Sequence, residues 1–280
     1  MNAAPGGAVR RARLLLDLCH IAHDQDAIAT AAELARLLER DLLGIYVEDE
    51  AVQHLASLPF ARELRLPSGA WAALDPAQLD QEFRSAAERL RAMLRQQASR
   101  FDVRSEFQTV RADPARYVAG ISGGADVVVL AVPREASARA VGSFAAAWHA
   151  AIESPATTLL LPSRLARRRG PVAAVLGAGA EQRARAAASL AAATGENVVA
   201  LVQDAEAADG SLGEAGRSAG RAEHRLSVRR LGEPSVEALL RALSGVGERL
   251  LMLDRRFVSD VEWQAAMKLS EALGVPLLFD

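Results

Sequence analysis

The stretch AVPREASARAVGS, residues 131–143, holds residue types that bind phosphate groups in many proteins. It follows the apolar run ADVVVLAV and precedes FAAAWHAAI, so it connects a predicted strand to a predicted helix. Gly142 and Ser143 stand where that helix begins, and a helix N-terminus offers N–H groups and partial positive charge to an anion. Arg134 could add a guanidinium fork that matches phosphate oxygens. The alternative is that Ser143 only caps the helix and that Arg134 lies in solvent.

A second glycine-containing turn, VLGAGAEQ at residues 175–182, also lies between a predicted strand and a predicted helix. Gly177 and Gly179 look like the start of a dinucleotide-binding fingerprint, and Asp204 ends the following strand. Gln182 stands where that fingerprint requires a third glycine, and the remaining sequence leaves no room for a substrate domain. We therefore favour an ordinary strand-to-helix turn over a dinucleotide site.

His20, His23, Asp24 and Asp26 lie close enough together to suggest a metal site. Short clusters of this kind at strand ends are more often helix caps and solvated turns, and no second cluster has metal-ligand spacing. We therefore expect no bound metal. Cys19 is the only cysteine, which excludes an internal disulfide and fits a reducing cytoplasm. Its expected role is that of a small buried residue, with a reactive thiol as the alternative.

The overall composition is that of an ordinary globular protein, with 50% hydrophobic residues and a net charge of −2. At this charge we expect neither nucleic acid nor an anionic membrane as a partner, and no segment is long and apolar enough to span a bilayer. The sequence shows no Ser-His-Asp order, no paired-carboxylate pattern and no Walker lysine. We therefore expect a cytoplasmic protein that is more plausibly a binding protein than an enzyme.

Alternating strand and helix patterns position all of these residues. In the first half, five predicted strands are separated by helical patterns; the strands are RARLLLDL, DLLGIYV, VRSEFQTV, ADVVVLAV and ATTLLLP. An arginine-rich break, SRLARRRG at residues 163–170, ends this order, which then recurs. The halves match best near their ends, where VRADPARYVAGISGGADVVVLAV resembles RLGEPSVEALLRALSGVGERLLMLD. An internal repeat of a whole βα domain explains this pattern.

The predicted fold class is α/β, with two tandem open parallel-sheet, Rossmann-like domains packed as a pseudo-dimer. The first domain is predicted at residues 1–163, with an insertion at about 48–75. Residues 164–170 form the predicted linker, and the second, shorter domain spans residues 171–280.

This order, with Asp17 just after the first strand and VGS at the start of the fourth helix, resembles the universal stress protein family. Members of that family that bind ATP carry an aspartate after strand one. After strand four they have a loop of Gly-x-x-Gly, nine residues and Gly-Ser/Thr, whose glycines let backbone N–H groups approach the phosphates. The resemblance implies a stress-related or regulatory function. It also implies that the two domains associate through their last strands, here TTLLLP and VPLLFD.

The chain departs from the family's loop at several positions. Ala131 and Arg134 stand where the two upstream glycines belong, and only residues 135–141 separate Arg134 from Gly142. In the second copy, MLDRRFVSDVEW contains no glycine. A Cβ atom and a long side chain crowd the space where phosphate would meet the backbone. We therefore expect a universal stress type protein without tight ATP binding and without a cofactor.

Two alternatives remain open. In the first, the chain binds ATP or AMP in the cleft of the first domain. The resemblance then implies these binding residues: Asp17, Val47, Ala131, Arg134, Gly142 and Ser143. In the second, it is an NAD-type enzyme or sensor that uses Gly177, Gly179 and Asp204.

The segment HLASLPFARELRLPSGAW, residues 54–71, carries more apolar residues than a simple connection needs; they are Leu58, Phe60, Leu64, Leu66 and Trp71. It could form a lid over the strand ends, a surface for a protein partner, or plain packing against a helix. We expect packing first and a partner surface second. A homodimer is a further expectation.

Overall fold

A computed structural model describes residues 12–18, 24–65, 69–121, 123–134, 143–177, 179–203, 213, 226–232, 235–259 and 263–280. The elements of the first half are β1 (Arg13–Asp17), α1 (Gln25–Leu37), β2 (Asp41–Asp49), α2 (Glu50–Ala56), β3 (Arg62–Arg65), β4 (Ala70–Ala73), α3 (Pro76–Arg100), β5 (Ser105–Ala112), α4 (Pro114–Ile121), β6 (Val127–Ala131), α5 (Ser143–Glu153) and β7 (Thr157–Leu161). Those of the second half are β8 (Val172–Leu176), α6 (Glu181–Thr194), β9 (Val198–Val202), β10 (Leu226–Arg230), α7 (Val236–Leu243), β11 (Leu250–Leu253), α8 (Arg256–Ser259), α9 (Trp263–Leu273) and β12 (Leu277–Phe279). Over these described ranges, no helix has the length and hydropathy needed to cross a bilayer.

Local sequence signals set several helix ends. Helix α3 begins at Pro76, after Asp75 accepts a hydrogen bond from the first turn. Helix α4 begins at Pro114, and Asp113 caps it in the same way. Helix α6 ends before Gly195, whose φ of 72° is the left-handed conformation that terminates many helices. Residues next to each helix thus account for the starts of α3 and α4 and for the end of α6.

Ten strands form one continuous sheet in the order β10-β9-β8-β11-β12-β7-β6-β1-β2-β5. Neighbouring strands within each half are parallel. When the five strands that each half gives to this sheet are counted in chain order, both halves have the spatial order third, second, first, fourth, fifth. The halves join where β7 and β12 pair antiparallel, so they are related by an approximate twofold axis. This arrangement confirms the α/β fold with two tandem parallel-sheet units, and it confirms their association through the last strands.

Helices cover both faces of the sheet because alternate residues of each buried strand point to opposite sides. On one face, α1, α3 and α6 pack against residues such as Leu14, Leu16 and Val129. On the other face, α5, α7 and α9 pack against residues such as Leu15 and Val128. The carboxyl ends of the parallel strands therefore form an edge framed by helix N-termini.

Aromatic side chains hold the two halves together across the junction of β7 and β12. Trp148 in α5 meets Phe279 in β12 edge to face, with ring centroids 5.5 Å apart. Phe144, also in α5, meets Trp263 in α9 at 5.9 Å. Arg255 of the second half donates hydrogen bonds to the backbone carbonyl oxygens of Ile152, in the last turn of α5, and of Ser154, just after it, which satisfies groups that a helix end leaves unpaired. The halves thus share a core as well as a sheet.

Candidate functional site

The carboxyl ends of β2, β1 and β6 bring together most of the residues predicted to bind nucleotide. Asp17 pairs with Ile45 across β1 and β2, and Val47 lies two residues further along β2. Ala131 is the last residue of β6, on the other side of β1. All three predicted residues are buried. Open parallel sheets commonly bind their ligands at this edge.

The ends of the loop after β6 frame the same edge. Arg134 is the third residue after the end of β6, and helix α5 begins at Ser143. This start agrees with the helix predicted from Gly142 and Ser143, although Gly142 itself lies outside the described residues. The structure therefore brings Arg134 to the same edge as Asp17, Val47 and Ala131.

Arg134 forms an ion pair rather than lying free in solvent. Its Nε atom lies 2.9 Å from Oδ2 of Asp24, and its Nη2 atom lies 3.1 Å from Oδ1 of the same carboxylate. The Nε–H group also donates a hydrogen bond to the backbone carbonyl oxygen of Ser163, after β7. Asp24 is in turn the N-cap of α1, where its Oδ1 atom accepts hydrogen bonds from two backbone N–H groups. One guanidinium group thus connects the ends of β6 and β7 to the start of α1.

This ion pair leaves little space beside it. The cavity between Arg134, Asp24 and the residues after β7 is about 10 Å³, which is room for about one water molecule. The Arg134 side chain is 50% exposed, so the pair itself stabilises the fold by only about 1 kcal/mol or less. The pair also places the Asp24 carboxylate against the Arg134 guanidinium group.

A chain of alternating charges continues from this pair into the second half. Arg168 lies 3.5 Å from Asp26 and 3.7 Å from Glu33, both on α1. Glu33 lies 2.6 Å from Arg249, whose side chain is buried just before β11. Ser163 adds a further link, because its N–H and hydroxyl groups donate hydrogen bonds of 2.6 and 2.7 Å to the carboxylate of Glu271 in α9. The surroundings of Arg134 are therefore tied to the junction between the halves.

The second half has a similar ion pair, but here the carboxylate follows the fourth strand and the arginine lies at the start of the helix. The pairing of β6 with β1 and of β11 with β8 makes Asp254 the equivalent of Ala131. Arg183, in the first turn of α6, lies 3.3 Å from Asp254 and 2.6 Å from Asp280. Its Nη1 atom donates a hydrogen bond of 2.8 Å to the carbonyl oxygen of Val175 at the end of β8. An arginine and two carboxylates thus fill the corresponding edge of the second half.

Electrostatics keep this second cluster charged. The hydrogen bond from the Arg256 side chain, with further help from Arg183, holds the pKa of Asp254 well below its usual value, although burial opposes this shift. The Arg183 side chain is only 7% exposed, so its carboxylate partners are needed to compensate for its burial. The cluster therefore behaves as an internal structural ion pair at neutral pH.

The remaining predicted site residues do not belong to these clusters. Gly179 has a φ of 76°, which fits a turn between β8 and α6, while Asp204 lies outside the described residues. Within the described residues no group of three or more His, Cys, Asp or Glu could hold a metal. His20, His23 and Cys19 lie outside the part of the chain that the structure describes.

The expectation that residues 54–71 pack against a helix is wrong for most of their apolar side chains. The segment contains the end of α2 and the hairpin of β3 and β4, in which Leu64 pairs with Trp71. Phe60 is 76% exposed, Trp71 62% and Leu64 47%. Leu55 at the end of α2 is 51% exposed, while Leu66 lies outside the described residues. A two-stranded hairpin has too little surface to cover its own apolar side chains, so they face solvent.

Sequence reasoning missed Arg183 as a site residue. A signal for it exists, because Arg183 lies on the same buried face of α6 as Ala187 and Leu190. A charged residue on such a stripe requires a buried partner. The sequence does not reveal the partner, since Asp280 follows 97 residues later.

Comparisons with known proteins agree with this architecture. The structure is similar to a universal stress protein from Archaeoglobus fulgidus DSM 4304, with a TM-score of 0.63, 11% identity and 95% of each chain covered. It is also similar to a functionally unknown protein from Pseudomonas aeruginosa PAO1, with a TM-score of 0.51, 14% identity, and 96% of this chain and 92% of that chain covered. No protein-family model matches the sequence, and no curated protein matches it. The chain therefore has the universal stress protein fold.

Proposed function

We propose that the chain is a regulatory binding protein of the universal stress type that does not bind ATP tightly. The observation that carries this proposal is the ion pair between Arg134 and Asp24 at the carboxyl edge of the first half. A nucleotide phosphate at this position would have to separate the two groups. It would also meet the Asp24 carboxylate, whose negative charge repels phosphate.

The residues at the ends of the fourth strand of each half support the same proposal. Ala131 places a Cβ atom where ATP-binding relatives of the family have a glycine, and it is buried. Its equivalent in the second half is Asp254, which carries a negative charge and is paired with Arg183. Phosphate binding at such loops depends on close approach to backbone N–H groups, which a side chain prevents.

Binding of ATP or AMP in the first half is the second candidate function. It is favoured by the start of α5 at Ser143, which directs a helix N-terminus towards the same edge. The ion pair of Arg134 is half exposed and weak, so its guanidinium group could exchange Asp24 for a phosphate group at small cost. The two candidates therefore differ in whether a nucleotide stabilises the protein.

A thermal-shift and calorimetry panel with ATP, AMP, cyclic dinucleotides and NAD distinguishes the candidates. We expect none of them to raise the melting temperature at millimolar concentration. A clear stabilisation by ATP or AMP would overturn the proposal. The variants Arg134→Ala and Ser143→Ala should then reduce the stabilisation by the nucleotide. Stabilisation by NAD that Gly179→Val abolishes would instead support a dinucleotide site in the second half.

We further propose that the exposed apolar residues of α2, of the hairpin and of the turn between them form a surface for another protein. This surface consists of Val52, Leu55, Phe60, Leu64 and Trp71, all of which are more than a third exposed. Their proximity in the chain, and the pairing of Leu64 with Trp71, places several large apolar side chains in one region. Groups of exposed large apolar side chains mark interaction sites more often than scattered single residues do.

Site-specific photo-crosslinking in cells tests this surface. A photoreactive residue replaces Trp71 in one variant and Val228 in the control, because Val228 is a 52% exposed residue of β10 whose chain neighbours, Ser227 and Arg229, are polar. We expect a covalent adduct with a protein from position 71 and none from position 228. An adduct with a second copy of the chain would identify the partner as a homodimer subunit. Equal yields from both positions, or no adduct from position 71, would contradict the proposal.

A further inference from the structure

A groove between the two halves lies apart from the carboxyl edge of the strands. Its volume is about 590 Å³, and it forms where the C-terminal parts of α1, α3 and α6 approach the segment that precedes β8. Small-molecule sites commonly have volumes in this range. Both halves contribute side chains to the groove, so it exists only in the assembled pseudo-dimer.

Arginine side chains dominate the charge of this inter-half groove. Its lining contains four arginines and two glutamates; they are Arg100, Arg168, Arg169, Arg249, Glu33 and Glu196. Arg249 lies 2.6 Å from Glu33 and 3.3 Å from Glu196, and its side chain is only 8% exposed. These contacts engage both glutamates, so the groove keeps an excess of two positive charges.

Two of the arginines supply this excess charge. Arg169 is exposed and forms no hydrogen bond or ion pair with any residue in the described ranges. Arg100 is also exposed, and its guanidinium group lies 5.7 Å from the ring of Phe101. No described carboxylate pairs with Arg100 either. Both guanidinium groups can therefore bind an anion without breaking an existing ion pair.

The lining also includes apolar side chains. Leu37 at the end of α1 and Phe101 after α3 are partly buried and pack against the core beneath. Ala193 of α6 adds a further small apolar group. Such a surface favours a ligand with a flat apolar part, while the guanidinium groups favour an oxyanion.

We propose that the inter-half groove binds an organic phosphate that carries a flat apolar group. A phosphate monoester has a charge of about −1.5 to −2 at neutral pH, which matches the two positive charges of Arg100 and Arg169. A carboxylate has only one negative charge and would satisfy one of them. The apolar part of the ligand would cover Leu37 and Phe101 and remove their exposed surface from water.

Isothermal titration calorimetry with four probes tests this site in the full-length chain. Phenyl phosphate has both the ring and the dianion, phenol has only the ring, inorganic phosphate has only the charge, and benzoate has a single charge. We expect phenyl phosphate to bind most tightly. Arg100→Gln and Arg169→Gln should each weaken it about tenfold, which corresponds to the loss of one charged hydrogen bond. Both residues are exposed, so both variants should keep the melting temperature of the wild type.

Arg95→Gln is the matched control. Arg95 is an exposed arginine of the same helix, about 140° around the axis from Arg100, and it does not line the groove. This variant and Arg134→Gln should both bind phenyl phosphate as the wild type does. A loss of binding in Arg134→Gln would place the anion in the cleft of the first half and overturn the groove. The groove proposal would also be overturned if phenyl phosphate does not bind or if phenol binds as tightly as phenyl phosphate does. Unchanged binding of phenyl phosphate by both Arg100→Gln and Arg169→Gln would overturn it as well.

Discussion

The replacement Phe279→Ala tests whether the two halves depend on a shared aromatic core. Phe279 is fully buried in β12, and its ring meets Trp148 of the other half at a centroid distance of 5.5 Å. Truncating a buried phenylalanine to alanine costs about 3–5 kcal/mol, because the transfer free energy is lost and a cavity remains. Trp148 is itself only 2% exposed, so water cannot enter easily and we expect about 4 kcal/mol. A domain has a total stability of about 5–15 kcal/mol, so the variant should still fold.

Urea unfolding followed by tryptophan fluorescence and circular dichroism measures this loss. Both signals should change in a single transition, because one continuous sheet joins the halves. Phe60→Ala is the matched control, since its ring is 76% exposed and its removal should change stability by less than about 0.5 kcal/mol. A loss below about 1 kcal/mol in Phe279→Ala, or separate transitions in the wild type, would refute a shared core.

Three further predictions concern backbone strain and pH. Gly170→Ala should lower the free energy of unfolding in urea by about 2 kcal/mol or more, because Gly170 has a φ of 129° and an added Cβ would lie 2.0 Å from a backbone carbonyl oxygen. Gly232→Ala is the control. It has open space around it and should lower the free energy of unfolding by less than about 1 kcal/mol. Burial raises the pKa of Glu248 above its usual 4.5, so its contribution to stability falls as the pH rises through that raised pKa. The urea midpoint of Glu248→Gln should therefore be higher than that of the wild type at pH 7 and equal to it below about pH 4. The hydrogen bond from Arg256 lowers the pKa of Asp254 below 3.8, so Asp254→Asn should lower the midpoint at pH 7, with a difference that shrinks as wild-type Asp254 becomes protonated in strong acid.

Much of the fold follows from short-range features of the sequence. The apolar strand runs, and the acid-proline pairs that start α3 and α4, involve residues within a few positions of each other. Gly195 ends α6 for an equally local reason. Because these signals act through the backbone of one turn or one strand, they predict element order without knowledge of the tertiary structure. The repeat of that order predicts two similar units. Their joining through the last strands, β7 and β12, is implied by the resemblance to the universal stress protein family, and the sheet confirms it.

The hairpin shows where this reasoning fails. Apolar residues at 54–71 suggest packing, because apolar side chains are usually buried when a neighbouring surface is available. Whether a surface is available depends on how far the hairpin extends from the helices around it. That distance is a property of the tertiary structure, and here it leaves Phe60 and Trp71 exposed.

The sequence by itself determined which residues reach the carboxyl edge of the first half, because the ends of parallel strands meet there whatever the side chains are. Asp17, Val47, Ala131 and Arg134 all lie at that edge. Only the tertiary structure decided what Arg134 does, since its partner Asp24 lies 110 residues earlier in the chain. Ion pairs depend on distances of a few ångströms between side chains, and those distances exist only after the strands and helices have packed.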